Sequence, residues 1–211
     1  MEFLALLWDI AVHLDKHLAA LLAQHGAWVY AVLFLIVFCE TGLVVTPFLP
    51  GDSLLFIAGA LAATGGMDIT LLNGALIAAA VLGNSVNYAI GRAIGPKVFQ
   101  WEDSRFFNRR ALQAAHDFYL RHGGKTIVIT RFLPILRTFA PFVAGVAEMP
   151  RARFQAFNVA GGVFWVVSLT LAGFWFGNLP LVKDNLSAVI LAIVVVSVLP
   201  AVVGYLRHRA G

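Results

Sequence analysis

Four charged residues stand in stretches that are otherwise apolar: Glu40, Asp52, Arg131 and Arg137. A guanidinium stays protonated and presents a planar fork of donors suited to phosphate or carboxylate oxygens, so Arg131 and Arg137 are candidate anion ligands. A carboxyl in an apolar run has its charged form penalised by desolvation, which makes Glu40 a candidate proton carrier. Asp52 follows Pro50-Gly51 at a turn. It can be either the partner of the arginines or a second proton site. The four charges cancel, so they can pair in a low-dielectric site, and two ion pairs that merely brace the fold are the plainer use of them. Each charge near a bilayer centre costs about 2.5–3.5 kcal/mol on insertion scales, and charges kept at that cost more often mark a pathway.

The backbone around these charges is as unusual as the charges themselves. Arg131 to Gly145 reads RFLPILRTFAPFVAG, and Pro47 to Gly59 reads PFLPGDSLLFIAG. Each contains Phe-Leu-Pro (48–50 and 132–134), then charge, then an apolar segment closing on Ala-Gly, with two extra residues in the second copy. Pro47, Pro50, Pro134 and Pro141 each withhold a backbone donor, and Gly51 eases a sharp turn, so neither stretch suits a plain spanning helix. Irregular backbone at membrane depth is tolerated only where protein or a water-filled cavity covers it. Residues 46–64 and 126–147 are therefore expected to be re-entrant elements lining one internal cavity.

The elements that must hold them follow from composition. Of 211 residues, 60% are hydrophobic and only 12% charged, and the mean hydropathy is +0.85; ordinary soluble domains carry about 25% charged residues. The chain reads as one integral membrane domain, 1–211. Apolar runs place spans at 27–45, at 69–91 with Arg92 closing it, from Phe154 to near Gly177, and at 186–206. In residues 1–25, Asp9, His13, Lys16, His17 and Gln24 form a polar stripe opposite Phe3, Leu7, Leu14, Leu18 and Leu21, the pattern of an interfacial helix. Residues 92–125 form a basic amphipathic segment carrying Phe107, Ala111, Leu112, Ala115, Phe118 and Tyr119 at helical spacing. The positive-inside rule places it in the cytoplasm together with Arg151, Arg153, Arg207 and Arg209, and so the C-terminus too. On that count the two irregular elements enter from opposite faces. The expected fold is an all-α polytopic membrane protein with about four transmembrane helices, two inverted re-entrant helical hairpins and amphipathic surface helices.

Other chemistries find little support. The net charge of +4 is spread over loops, with no basic patch interleaved with exposed aromatics to suggest nucleic acid. The single Cys39 excludes an intramolecular disulfide. The histidines show no metal-ligand spacing, and no Gly-rich nucleotide loop or nucleophile with an adjacent base is present, so neither a cofactor, a metal nor an enzymatic activity is expected. Gly91-x-x-x-Gly95 and Gly173-x-x-x-Gly177 suit close helix packing. Trp28, Trp101, Trp165 and Trp175 fit membrane interfaces or core packing.

FCETGLVVTPFLPGDSLLFIAGALA (38–62), GNSVNYAIGRAIG (83–95), FYLRHGGKTIVITRFLPILRTFAPFVAGVAEM (118–149) and GGVFWVVSLTLAGFWFG (161–177) closely resemble the DedA family, also called the SNARE-associated or VTT-domain family. The resemblance covers nearly the whole chain. It implies a bacterial inner-membrane protein linked to lipid-carrier movement, such as flipping of undecaprenyl phosphate with dependence on the proton motive force, while eukaryotic relatives scramble phospholipids. The family's functional acids match Glu40 and Asp52, and its functional arginines match Arg131 and Arg137. Asn84 departs from the Asp expected in many close relatives, which removes a third acid from the second span. The expected partners are a phosphate-bearing lipid and protons, and a homo-oligomer is compatible with the sequence. The rival readings are an energy-independent phospholipid scramblase, a membrane-organising protein and a lipid phosphatase.

Overall fold

The computed structural model describes residues 14–43, 51–98, 123–177 and 179–183, and every regular element among them is helical. In chain order these are α1 (Leu14–His25), α2 (Trp28–Gly42), α3 (Gly51–Ala63), α4 (Ile69–Val98), α5 (Lys125–Ile129), a 3₁₀ turn (Thr130–Phe132), α6 (Pro134–Val146), α7 (Arg151–Phe176) and α8 (Pro180–Lys183). The expected span at 186–206, the terminal arginines Arg207 and Arg209, Pro47, Pro50, Trp101, the start of the N-terminal helix and most of 92–125 lie outside the described residues.

Among the described residues, two helices are long and apolar enough to cross a bilayer, over Ile69–Gly95 and Arg151–Phe176. At 1.5 Å per residue, 27 and 26 residues give about 40 Å each, against a hydrocarbon core of about 30 Å. Only 33% of the apolar window of each is buried, and Leu71, Leu82, Val163 and Phe164 face outward. The core helix of a soluble protein would bury most of its surface, so these faces suit lipid. Asp68 starts α4: its Oδ1 accepts from the Thr70 and Leu71 N–H groups at 2.8 Å, and its own N–H donates to Tyr30 Oη on α2 at 2.7 Å. The expected stop at Arg92 is not observed, because α4 runs on to Val98. Arg92 is satisfied locally, donating to Tyr88 Oη at 2.9 Å and to the Met149 carbonyl at 3.3 Å. Its charge therefore does not have to end the helix.

Both stretches expected to be re-entrant contain short helices. α3 and α6 have 13 residues each, about 20 Å at 1.5 Å per residue, too short to span. The second stretch is broken between the 3₁₀ turn and α6 at Leu133, whose backbone is extended (φ −117°, ψ 101°). Proline disfavours helical backbone in the residue before it, and Pro134 then opens α6 from its first turn, where its missing N–H costs nothing.

The short helices pack across the two halves of the chain. A Cβ on Gly173 of α7 would overlap the main chain of Phe56 on α3, and one on Gly59 of α3 would overlap the main chain of Thr170 on α7. The same arrangement repeats between α4 and α6, with Gly91 against the main chain of Phe142 and Gly145 against that of Tyr88. One turn further along both partners, Gly177 meets Ala60 and Gly95 meets Val146, so α3 runs parallel to α7 and α6 parallel to α4. The long helices themselves are antiparallel: Tyr88 stacks on Phe154 at 4.2 Å, while at the other end Thr170 Oγ1 donates to Asn73 Oδ1 at 2.6 Å. Both glycine spacings in the sequence thus mark close helix crossings.

Two apolar clusters form along the long helices. One holds Val37, Leu55, Leu72, Leu76, Trp165 and Val166; the other holds Tyr88, Ile127, Ala144, Met149 and Phe154. Between Leu76 and Tyr88 on α4, and between Phe154 and Trp165 on α7, come the buried polar residues Asn84, Asn87 and Asn158. The fold encloses a polar layer between two greasy ones.

Candidate functional site

Three of the four charges predicted to matter meet in that layer. Arg137 on α6 projects between α2 and α3, where its Nη2 donates to Glu40 Oε1 and its Nη1 donates to Asp52 Oδ1 at 2.8 Å. Glu40 is 0% exposed, Arg137 3% and Asp52 9%. Gly51 opens α3 directly against the Glu40 carboxylate, which occupies the place a Cβ would take. With all three ionised the group carries one negative charge in excess, and one proton brings it to neutrality.

Two residues not singled out as functional position this triad. Trp165 Nε1 donates to Asp52 Oδ1 at 2.9 Å, and the Arg137 guanidinium lies over the indole ring, 4.9 Å from its centroid. The expectation that Trp165 marks an interface or plain packing is therefore incomplete. Its place near the middle of α7, away from the ends where interfacial aromatics collect, was the available signal. Trp28 and Trp175 are exposed, as interfacial residues would be. Asn87 Nδ2 donates both to the Thr41 carbonyl at 3.1 Å and to the Thr138 carbonyl at 2.8 Å. It thereby ties the residue next to Glu40 to the residue next to Arg137. Pro141 lies inside α6 and cannot donate to the Arg137 carbonyl four residues back, so the Asn87 bond falls on the carbonyl next to the one that proline leaves without its helical donor.

Arg131 is placed differently. It lies on the 3₁₀ turn, 1% exposed, and contacts neither acid: its Nη2 donates to Asn158 Oδ1 at 2.5 Å and to the Asn158 carbonyl at 3.1 Å. Its Nε and Nη1 have no hydrogen-bond partner among the described residues. The four charges therefore do not sort into two ion pairs: one arginine takes the two acids and the other is held by an amide. A buried donor left without an acceptor costs about 1–3 kcal/mol, more when the group is charged. Asn84 is also buried, and its Oδ1 has no partner among the described residues. Among the described residues no group of His, Cys, Asp or Glu could hold a metal ion.

The family model of the VTT domain matches residues 49–175, which takes in α3 to α7 almost end to end. The chain is 52% identical to Protein DedA of Escherichia coli, over 99% of this chain and 96% of that one. It is 45% identical to an uncharacterized membrane protein of Mycobacterium leprae, over 80% and 75% of the two chains. It is also 37% identical to inner membrane protein YghB of Escherichia coli, over 87% and 82%. No solved structure matches the chain.

Proposed function

The chain belongs to the DedA family of VTT-domain membrane proteins, and from that premise we propose that it is a transporter that moves a phosphate-bearing lipid head group across the bacterial inner membrane. The head group crosses through the polar layer while the tail stays in lipid. The observation that carries this reading is the pair of buried nitrogens on Arg131 that have no partner among the described residues, which suit the several oxygens of a phosphate. Asp52, Glu40 and Arg137 supply the second half of the cycle. When one of the two acids takes up a proton, Arg137 is released from an ion pair and can join Arg131 on the phosphate; when the proton leaves, the acids reclaim it. Proton uptake and lipid binding are in this way coupled through one guanidinium.

In this reading α3 and the broken segment ending in α6 are the re-entrant elements, dipping from opposite faces so that their starts meet at mid-depth. The basic stretches 92–125 and 151–153 and the C-terminus lie on the cytoplasmic side. The lipid is an undecaprenyl phosphate-like carrier, as the family resemblance implies. The test uses vesicles containing the purified protein and a labelled polyprenyl phosphate. Arg131→Ala and Arg137→Ala are expected to abolish flipping, Arg137→Lys to reduce it, and collapse of the proton gradient to slow the wild type. Unchanged flipping in both alanine variants refutes the proposal, and indifference to the gradient converts it to passive scrambling.

A further inference from the structure

The two arginines are held by groups of different charge. Arg137 is neutralised by carboxylates, whereas both hydrogens of the Arg131 Nη2 go to a single neutral residue, Asn158. We propose that Asn158 is a positioning residue for an anion site: its uncharged amide anchors one nitrogen of Arg131 and leaves the positive charge, with Nε and Nη1, to a phosphate. This inference rests on the reading of Arg131 as a phosphate ligand given above.

The orientation of the amide is fixed by its surroundings. Asn158 Nδ2 donates to the Val81 carbonyl at 3.0 Å, and lies 3.2 Å from Gln155 Oε1 and 3.3 Å from Ser85 Oγ. A carbonyl can only accept, so the amide nitrogen must face α4 and the amide oxygen must face Arg131. Gln155 Nε2 closes the ring by donating to Ser85 Oγ at 2.8 Å. A guanidinium tied at one corner to a residue fixed on two helices loses the freedom to swing, which is the pre-organisation a ligand site needs.

The backbone beneath is cleared for the same purpose. A Cβ on Gly161 would stand 3.2 Å from Arg131 Cδ and Nε, and one on Gly162 would stand 3.4 Å from Nη2. The paired glycines let the guanidinium lie against α7.

Why residue 158 is an amide and not a carboxylate follows from these bonds. Aspartate could accept from Nη2 equally well, but it would cancel the charge on Arg131 and turn an oxygen towards the Val81 carbonyl. Asparagine gives the same geometry at zero charge. Arg131 would therefore attract an anion where Arg137, already compensated, does not.

The test is equilibrium binding by the full chain in lipid nanodiscs of a fluorescent polyprenyl phosphate and, as the uncharged reference, the matching polyprenol. The quantity read is the ratio of the two affinities, which a general loss of packing leaves unchanged because it weakens both. Arg131→Ala is expected to lower the ratio at least tenfold. Asn158→Asp is expected to do the same, whereas Asn158→Ala, which loosens Arg131 without cancelling it, is expected to lower it less than threefold. A role in packing alone leaves the ratio unchanged in both Asn158 variants, because a loss of packing weakens the binding of both ligands alike. If Asn158→Asp does not fold, Asn158→Ala decides: a ratio as low as that of Arg131→Ala overturns the role of Asn158. A ratio preserved in Asn158→Asp but lost in Arg131→Ala overturns that role and leaves Arg131 as the ligand. A ratio unchanged in Arg131→Ala overturns both.

Discussion

Removing Arg137 should cost more while its two partner acids are in place than after both have been neutralised. In Arg137→Ala the Glu40 and Asp52 carboxylates lose their ion pairs, one of them a 2.8 Å bond, and Trp165 loses the guanidinium 4.9 Å from its ring. Two acids are left facing each other in a space where neither is more than 9% exposed. Breaking a buried pair by deleting one partner costs about 3–5 kcal/mol, which corresponds to roughly two to three and a half orders of magnitude in the unfolding equilibrium. In the background Glu40→Gln/Asp52→Asn the same substitution strands no charge, and its cost should fall to about 1–3 kcal/mol for the lost packing and hydrogen bonds. Asparagine at 52 keeps an oxygen for the Trp165 N–H, so that contact does not confound the comparison. The assay is reversible unfolding in detergent, followed by tryptophan fluorescence, on the four proteins of the cycle. Equal costs of Arg137→Ala in the two backgrounds would mean that the triad is not energetically coupled, and the reasoning would fail.

Gly173→Ala should destabilise by about 1–3 kcal/mol, because the new methyl lands on main chain that cannot rotate aside. Gly74→Ala, with nothing within 4 Å of the added carbon, should stabilise by about 0.5–1 kcal/mol through helix propensity; melting temperatures in detergent shifting in the same direction would refute the packing argument. Trp165→Phe removes one hydrogen bond to a charged acceptor and keeps an aromatic ring under Arg137. The expected loss is about 1.5–3 kcal/mol, shrinking when Asp52→Asn is already present, and simple additivity in that double-mutant cycle would contradict the direct contact.

Much of this was legible in the residues. The apolar runs announced α2, α4 and α7, and the prolines announced the break at Leu133, because the clash before proline is local. Glu40, Asp52, Arg131 and Arg137 were marked by the cost of their burial. What the chain order could not reveal was the pairing: Glu40 and Arg137 are 97 positions apart, and only the crossing of α2 with α6 decides that Arg137, and not Arg131, takes the acids. Asn87, Asn158 and Trp165 escaped for a related reason. An amide or an indole in a membrane helix carries no charge to flag it, and its role depends on neighbours supplied by other helices. The glycine spacings were visible but gave no partner, since a missing side chain says that something comes close and not what.

The exchange of short helices between the two halves has a consequence for how small this fold can be. Cut after α4, the first half would keep α3 yet lose the groove that receives it, and the second half would be in the same position with α6. Neither piece could shelter its own short helix alone, so a half-length version of this protein would be self-sufficient only as a couple, two copies lying head to tail and lending each other the helix that each lacks room for.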